Sequence, residues 1–290
     1  MSQSRLSILL VLLAAAILCS GSAASAALIA SDSAADTVYN DGWQTGDDGG
    51  SGWGGGWSFR NQTNVVLSAN NSSRGWFVGN SLNNNSPAGS DSNGDGDINT
   101  PGTATGRAWG VYSNATDQVY AIRPLNGALD VQQIISWDMD NGNIATDQVV
   151  GLRLISNAND VNSRVFEFRF VGGNTGYSVF DSTGHRLTTL PFSREGLHVE
   201  YTLTGPSTYS ITITRKSNGA TETITGTNVN ANSIVALAFK NQFAGSGSAA
   251  DAFVNSISVT NVPEPAMAAV VVLAGLGLLG RRRGDLHLQR

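Results

Sequence analysis

Nine residues concentrate oxygen donors: Asp91-Ser92-Asn93-Gly94-Asp95-Gly96-Asp97-Ile98-Asn99. Carboxylate or amide oxygens stand at alternate positions. The glycine at the sixth place permits the sharp turn a cation-binding loop needs. Calcium takes six or more oxygens, and an acidic turn supplies them. Asp91, Asn93, Asp95 and Asp97 are therefore candidate Ca2+ ligands. The twelfth place of such a loop normally holds a bidentate glutamate. Here it holds Gly102, after Pro101, and no exiting helix is evident. The same residues would also make an ordinary solvated Asx-Gly turn.

Asp138-Met139-Asp140 is the second acidic feature. Two aspartates two apart on a strand face the same way. Laminarinase-type jelly-roll glycosidases carry paired carboxylates on one strand, in the pattern E-x-D-x-x-E. No glutamate occurs here before Glu167, so that pattern is missing. A retaining glycosidase needs two carboxyls about 5 Å apart, and nothing in the spacing pairs them. A strand-end turn, with room for a structural cation, is the expected role. His185 and His198 are the histidines left for acid–base work between the two chain ends. No G-x-S-x-G elbow accompanies them. The glycines at 52–56 lack the Lys-Ser/Thr of a phosphate loop. No catalytic residue is assigned.

All six tryptophans lie between residues 43 and 137. Trp76, Trp109 and Trp137 fall in apolar runs and are expected in the core. Trp43, Trp53 and Trp57 sit in a block, residues 39–59, that has eight glycines between Gly42 and Gly56. Their indoles can pack on the domain or stack against sugar rings, so they are the candidate carbohydrate contacts. A second loop-rich insertion spans residues 79–105.

These residues must be positioned by strands. Phe166, Phe168 and Phe170 alternate with Glu167 and Arg169; Leu197, Val199, Tyr201 and Leu203 alternate with polar residues; so do Tyr209, Ile211 and Ile213. That period of two marks half-buried strands. Ile234–Phe239 and Val149–Ile155 are more apolar runs, the second broken only by Arg153, and predict strands covered on both faces. Turn signals at Asn141-Gly142, Gly172-Gly173-Asn174 and Ser217-Asn218-Gly219 separate the strands. Strands are expected near 64–68, 74–78, 106–112, 117–123, 131–138, 147–156, 163–171, 176–181, 186–190, 197–204, 207–214, 220–226, 233–240 and 252–260. So many evenly spaced strands predict an all-β, two-sheet antiparallel sandwich over residues 27–261, a concanavalin A-like jelly roll.

The two ends read as addresses. Leu6–Leu18 is apolar but for Ser7, follows Arg5, and leads to Ala24-Ser25-Ala26, the layout of a signal peptide over residues 1–26. Leu18 is too large for the place before a lipidated cysteine, and cleavage after Ala26 would remove Cys19, the one cysteine. At the other end Pro263-Glu264-Pro265 precedes fifteen uncharged residues, Ala266–Gly280, and then Arg281, Arg282 and Arg283. Fifteen helical residues span about 22 Å, short of a hydrocarbon core of about 30 Å. The arginines would keep the tail, residues 284–290, in the cytoplasm. This order of proline-bracketed glutamate, short apolar helix and basic cluster, over residues 262–283, resembles the PEP-CTERM sorting signal of Gram-negative bacteria. The same module is also labelled an ice-binding-protein C-terminal domain, which implies nothing about ice here. The resemblance implies an exosortase and the secretion machinery as partners. It also implies transient residence in the inner membrane through the C-terminal helix, then delivery to the cell surface or extracellular matrix.

Composition agrees with such a destination. Only 13% of residues are charged, against roughly 25% in an average soluble protein. Residues 27–261 hold twelve basic and twenty acidic side chains, net −8, which argues against nucleic acid as a partner. The expected function is a non-catalytic β-sandwich of the cell surface or matrix, able to bind extracellular polysaccharide. A secreted polysaccharide-active hydrolase or lyase on the same fold is the alternative. Thr212 and Thr214 with Thr221, Thr223 and Thr225 make only a small threonine patch, too small to suggest ice or mineral binding.

Overall fold

The computed structural model describes residues 26–102, 106–114 and 117–262. Fifteen strands run in chain order: β1 Leu28–Asp32, β2 Ser58–Asn61, β3 Arg74–Gly79, β4 Ala108–Ser113, β5 Gln118–Pro124, β6 Gln133–Asn141, β7 Val149–Ile155, β8 Arg164–Val171, β9 Gly176–Asp181, β10 Gly184–Pro191, β11 Leu197–Leu203, β12 Thr208–Arg215, β13 Thr221–Thr227, β14 Ala236–Gln242 and β15 Ala252–Asn261. The pairings between these strands are antiparallel. One sheet has the order β13-β12-β11-β6-β15-β4-β3, with β1 also on β15; the other has the order β10-β9-β8-β7-β14-β5-β2. Residues 28–261 form one compact unit. No helix among the described residues is long and apolar enough to cross a membrane.

The alternation in the sequence decides which side chains meet. Leu197, Val199, Tyr201 and Leu203 are buried, and the residues between them are half-exposed. Tyr209, Ile211 and Ile213 behave alike in β12. Trp137 of β6 faces Phe168 of β8 with ring centres 6.4 Å apart, and Tyr201 of β11 meets Phe166 of β8 at 4.9 Å. The two sheets therefore close on one shared core. Trp76, Trp109 and Trp137 lie in it, as the apolar runs predict. The hairpin around Asn218-Gly219 forms with Thr214 opposite Thr221. Gly219 takes a left-handed φ of +68°, which favours glycine there. In β8 the outward Glu167 is fully buried too, so that strand is covered on both faces.

Two edges differ from the sequence expectation. Residues 64–68 make no strand: Val65 and Val66 are exposed, and Val66 forms an isolated bridge to Arg60. The edge strand is instead β2, inside the Gly/Trp block, paired with β5. β1, paired with β15, has no counterpart among the expected strands. Both strands are four or five residues long, too short to display a period, and pairing with an existing sheet selects them. The Gly/Trp block follows β1 closely. A Cβ on Gly50 would lie 1.8 Å from the Ser31 carbonyl oxygen, so a glycine is required where the chain passes.

Candidate functional site

β3 and β4 pair along their whole length, so the 80–107 connection leaves and returns at one end of the first sheet. Asn255 of β15, fully buried, staples that connection down. Its amide donates to the carbonyls of Ile98 (2.8 Å) and Arg107 (2.9 Å), and its oxygen accepts from the Ala34 N–H (3.0 Å). Ile98 is buried with Ala108 and Phe253. At the start of the loop Asn80 caps the 3-10 turn Ser81–Asn84, accepting from the Leu82 N–H at 3.0 Å.

Between these anchors the acidic motif curls on itself. Asp91 accepts the N–H groups of Gly94 and Gly96, each at 2.8 Å. Burial opposes ionisation of Asp91, but those backbone donors hold its pKa below the usual carboxylate value. Asp95 accepts the Asp97 N–H at 2.9 Å. One carboxylate oxygen from each of Asp91, Asp95 and Asp97 lies within 4.8 Å of the other two. Asn93 instead braces the turn. Its oxygen accepts from the Asp95 N–H (3.2 Å) and its amide donates to the Lys216 carbonyl (3.2 Å).

Asp97 is fully buried, and one of its oxygens accepts from the Asn85 amide at 3.0 Å while the other has no partner. Asp140, from the end of β6, is also fully buried, and neither of its oxygens makes a hydrogen bond of normal geometry. Burial raises the Asp140 pKa well above the usual range, and the nearby Asp97 charge raises it further; the Asn84 amide and the Asn141 N–H only partly oppose this. Burial likewise pushes Asp97 up to about 7, helped by Asp91, Asp95 and Glu195. Glu195 has one buried oxygen without a partner, as do the side-chain carbonyls of Asn84 and Asn85. Among the described residues no Lys or Arg pairs with Asp91, Asp95, Asp97, Asp140 or Glu195. Oxygen donors of this kind suit a hard divalent cation.

The companion of Asp140 does something else. Asp138 receives His198 Nδ1 at 2.7 Å, and His198 Nε2 faces Glu200 at 3.8 Å. The hydrogen bond to Asp138 raises the His198 pKa. Both ring nitrogens thus meet carboxylates, and no hydroxyl bonds to the ring among the described residues.

The tryptophans correct the stacking expectation. Trp43 and Trp57 are 3% exposed and pack edge-on to each other at 4.9 Å, and Trp57 lies 5.3 Å from Trp109. Trp53 is half-buried against the same core, beneath the Arg123 guanidinium at 5.4 Å. Glycine-rich backbone lets this block lie close against the sheets, which takes Trp43 and Trp57 out of reach of a sugar. The sorting residues Pro263, Glu264, Pro265, Arg281, Arg282 and Arg283 lie outside the described residues, as does the signal peptide up to Ser25.

A second charged cluster occupies the outer face of the other sheet. Glu167 receives Lys240 at 2.8 Å, Arg153 at 3.1 Å and Arg164 at 2.6 Å. Burial alone would raise the Glu167 pKa, but Lys240 and Arg153 hold it far below the ordinary value. Burial lowers Lys240 to about 8 against the pull of Glu167. Arg169 pairs with no carboxylate among the described residues and donates to His185 Nδ1 at 2.7 Å. Phe180 lies 3.4 Å below the Arg164 guanidinium and 4.5 Å from the His185 ring. Four cations here surround one carboxylate. The alternation in β8 pointed to charges on this face, but Lys240, in an apolar run on β14, gave no signal of where it would lie.

No family model matches the chain, and no curated protein matches it. Among solved structures it is similar to the binding domain of botulinum neurotoxin serotype D, at 11% identity and a TM-score of 0.38, over 76% of this chain and 50% of that one. It is also similar to lectin II from Ulex europaeus, at 10% identity and a TM-score of 0.37, over 70% and 92% of the two chains. Arcelin-5, a lectin-like defense protein from Phaseolus vulgaris, follows at 8% and 0.34, over 51% and 80%. The chain spans about half the length of the neurotoxin domain it matches. Likeness at this level carries no ligand or activity from one chain to another.

Proposed function

We propose that the chain is an exported, non-catalytic module of the cell surface or matrix that binds acidic polysaccharide. In this reading residues 1–26 direct export, the PEP-CTERM signal at 262–283 presents the chain to an exosortase, and the sandwich is a jelly roll of the concanavalin A type. The observation that carries the partner class is the cation surplus around Phe180. In a domain of net charge −8, Arg153, Arg164 and Lys240 share the single carboxylate of Glu167, and Arg169 on the same strand as Glu167 bonds the His185 ring instead. Arg169, which pairs with no carboxylate among the described residues and bonds the His185 ring that packs on half-buried Phe180, suits a uronate: the guanidinium takes the acid and the aromatic ring takes the sugar face. Outside the acidic loop and Asp140, the non-catalytic reading is supported by buried carboxylates already engaged. Glu167 is held by three cations, Asp181 by Arg186 and Tyr209, and Asp32 by Arg123 and Tyr39. On the outer face of the first sheet, Thr212 pairs with Thr223 and Thr214 with Thr221, and the neighbouring His198 is held by Asp138 and bonds no hydroxyl among the described residues.

Retention on immobilised polyuronate, against neutral dextran, tests the partner class. The chain should bind the polyuronate, release it as salt rises, and lose most of the binding with Arg169→Ala. Equal retention on dextran, or none on either, would overturn it. Export is tested separately: deletion of residues 262–290 should leave the sandwich folded and move it from the cell surface to the periplasm or medium.

A further inference from the structure

We infer that Asp91, Asp95 and Asp97 hold a calcium ion at the end of β6, above the buried Asp140, and that this ion fastens the 80–102 loop to the first sheet. Calcium–oxygen distances run about 2.3–2.6 Å, so donors on opposite sides of one ion stand about 5 Å apart. Three carboxylate oxygens mutually within 4.8 Å fit around one such ion.

Acidic turns on protein surfaces leave their carboxylates in water. This one does not. Asp97 is fully buried with an unpartnered oxygen, Asp140 is fully buried with two, and Glu195 has one. Carboxylates withdrawn from water need a positive partner or hydrogen bonds, and no Lys or Arg among the described residues pairs with any of them. A cation bound from solution would supply the missing charge.

The donors also select the ion. All are oxygens, with neither histidine nor cysteine among them, which favours a hard cation over zinc or copper. The unpaired side-chain carbonyls of Asn84 and Asn85 offer neutral oxygens beside Asp140 and Asp97. A mixed, irregular set of carboxylates, amides and water suits the large, flexible shell of calcium better than the strict octahedron of magnesium. The EF-hand-like register is only partly used. Asn93 shapes the loop, and the anchor comes from a strand more than forty residues further on. That replaces the acid missing at Gly102.

The test is a melt of the purified full chain with chelator, with CaCl2 and with MgCl2. At saturation, calcium should raise the melting temperature by about 5 °C or more, and magnesium by much less. Calcium should also slow proteolytic cleavage within residues 80–102. Asp97→Asn should lose the calcium increment. Asp140→Asn should melt no lower than wild type in chelator, yet gain less than half the wild-type increment from calcium. Should either variant fail to fold, Asp95→Asn, whose side chain is exposed, should weaken calcium binding at least tenfold with its chelator melt unchanged. No calcium shift in the wild type, a full shift in Asp97→Asn, or an equal shift with magnesium would overturn the assignment. The outcome is independent of polysaccharide binding, because the Arg169 cluster lies on the other sheet.

Discussion

The sandwich buries acidic side chains beyond the core on both sheets, and it treats them in opposite ways. On the second sheet Glu167 is enclosed by Lys240, Arg153 and Arg164, each at 3.1 Å or less. On the first, Asp97 and Asp140 are enclosed with Asp91, Asp95 and Glu195 nearby and no cation of the described residues against them. The first cluster is complete and has positive charge to spare. The second is incomplete and has negative charge to spare. A buried carboxylate is stable only when its surroundings restore what water supplied. Glu167 obtains this from side chains on neighbouring strands. Asp97 has only the Asn85 amide and Asp140 no partner of normal geometry among the described residues, and the proposed calcium ion would supply the rest. The contrast is between a charge cluster that is paired within the described residues and one that is not.

The largest effect should come from breaking the complete cluster. Glu167→Ala leaves three cations with no anion, two of them largely enclosed, and should destabilise the domain by about 3–5 kcal/mol, read from a urea midpoint. A loss below about 1 kcal/mol would mean that the cations simply turn to solvent. The same cluster has a pH signature. The folded-state pKa of Glu167 lies below its ordinary value of 4.5. Its stabilisation is therefore present above that pH and is lost as pH falls beneath it. Glu167→Gln should flatten this acid limb, measured as midpoint against pH between 2 and 5.

Next in size is the calcium increment. At calcium about 100-fold above its dissociation constant, linkage sets it at about 2.7 kcal/mol. Because the two clusters sit on different sheets, Glu167→Ala should keep that increment, within the additivity of distant sites. Loss of the increment in this variant would mean that the clusters are coupled. A smaller effect is expected at another buried acid, one that shares features of both clusters. Asp32 accepts from the Tyr39 hydroxyl (2.6 Å) and pairs with Arg123 (3.2 Å). Burial raises it to about 7 despite both partners. Tyr39→Phe removes that donor and should destabilise by about 1–2 kcal/mol in the same urea assay. The smallest effect belongs to Thr223→Ala, on the exposed threonine face, at less than about 0.5 kcal/mol. It serves as the baseline for the others.

Period-two strands were legible because a sheet with one covered face repeats every second residue. β11 and β12 could be placed to within a residue from Leu197–Leu203 and Tyr209–Ile213. Short edge strands such as β1 and β2 were not, since four or five residues do not establish a period. The acidic loop announced itself at Asp91, Asp95 and Asp97 because adjacent ligands follow one another in the chain. Asp140 was visible only as a strand-end aspartate, and Asn84 only as part of an asparagine run. Nothing local links either of them to Asp97. Trp43 and Trp57 were ambiguous for a related reason: glycine-rich backbone allows an indole to face in or out.

Composition, strand period and the order of the local motifs all follow from neighbours in the chain, because backbone geometry couples residues a few places apart. They specify an all-β sandwich with an oxygen-rich loop. Which buried acid meets a lysine and which meets another acid depends on strands brought together from distant parts of the chain, β6 beside the 80–102 loop and β14 beside β7. That choice was made by packing. It sets the sign of the charge left over on each sheet, and with it the kind of ligand each can hold.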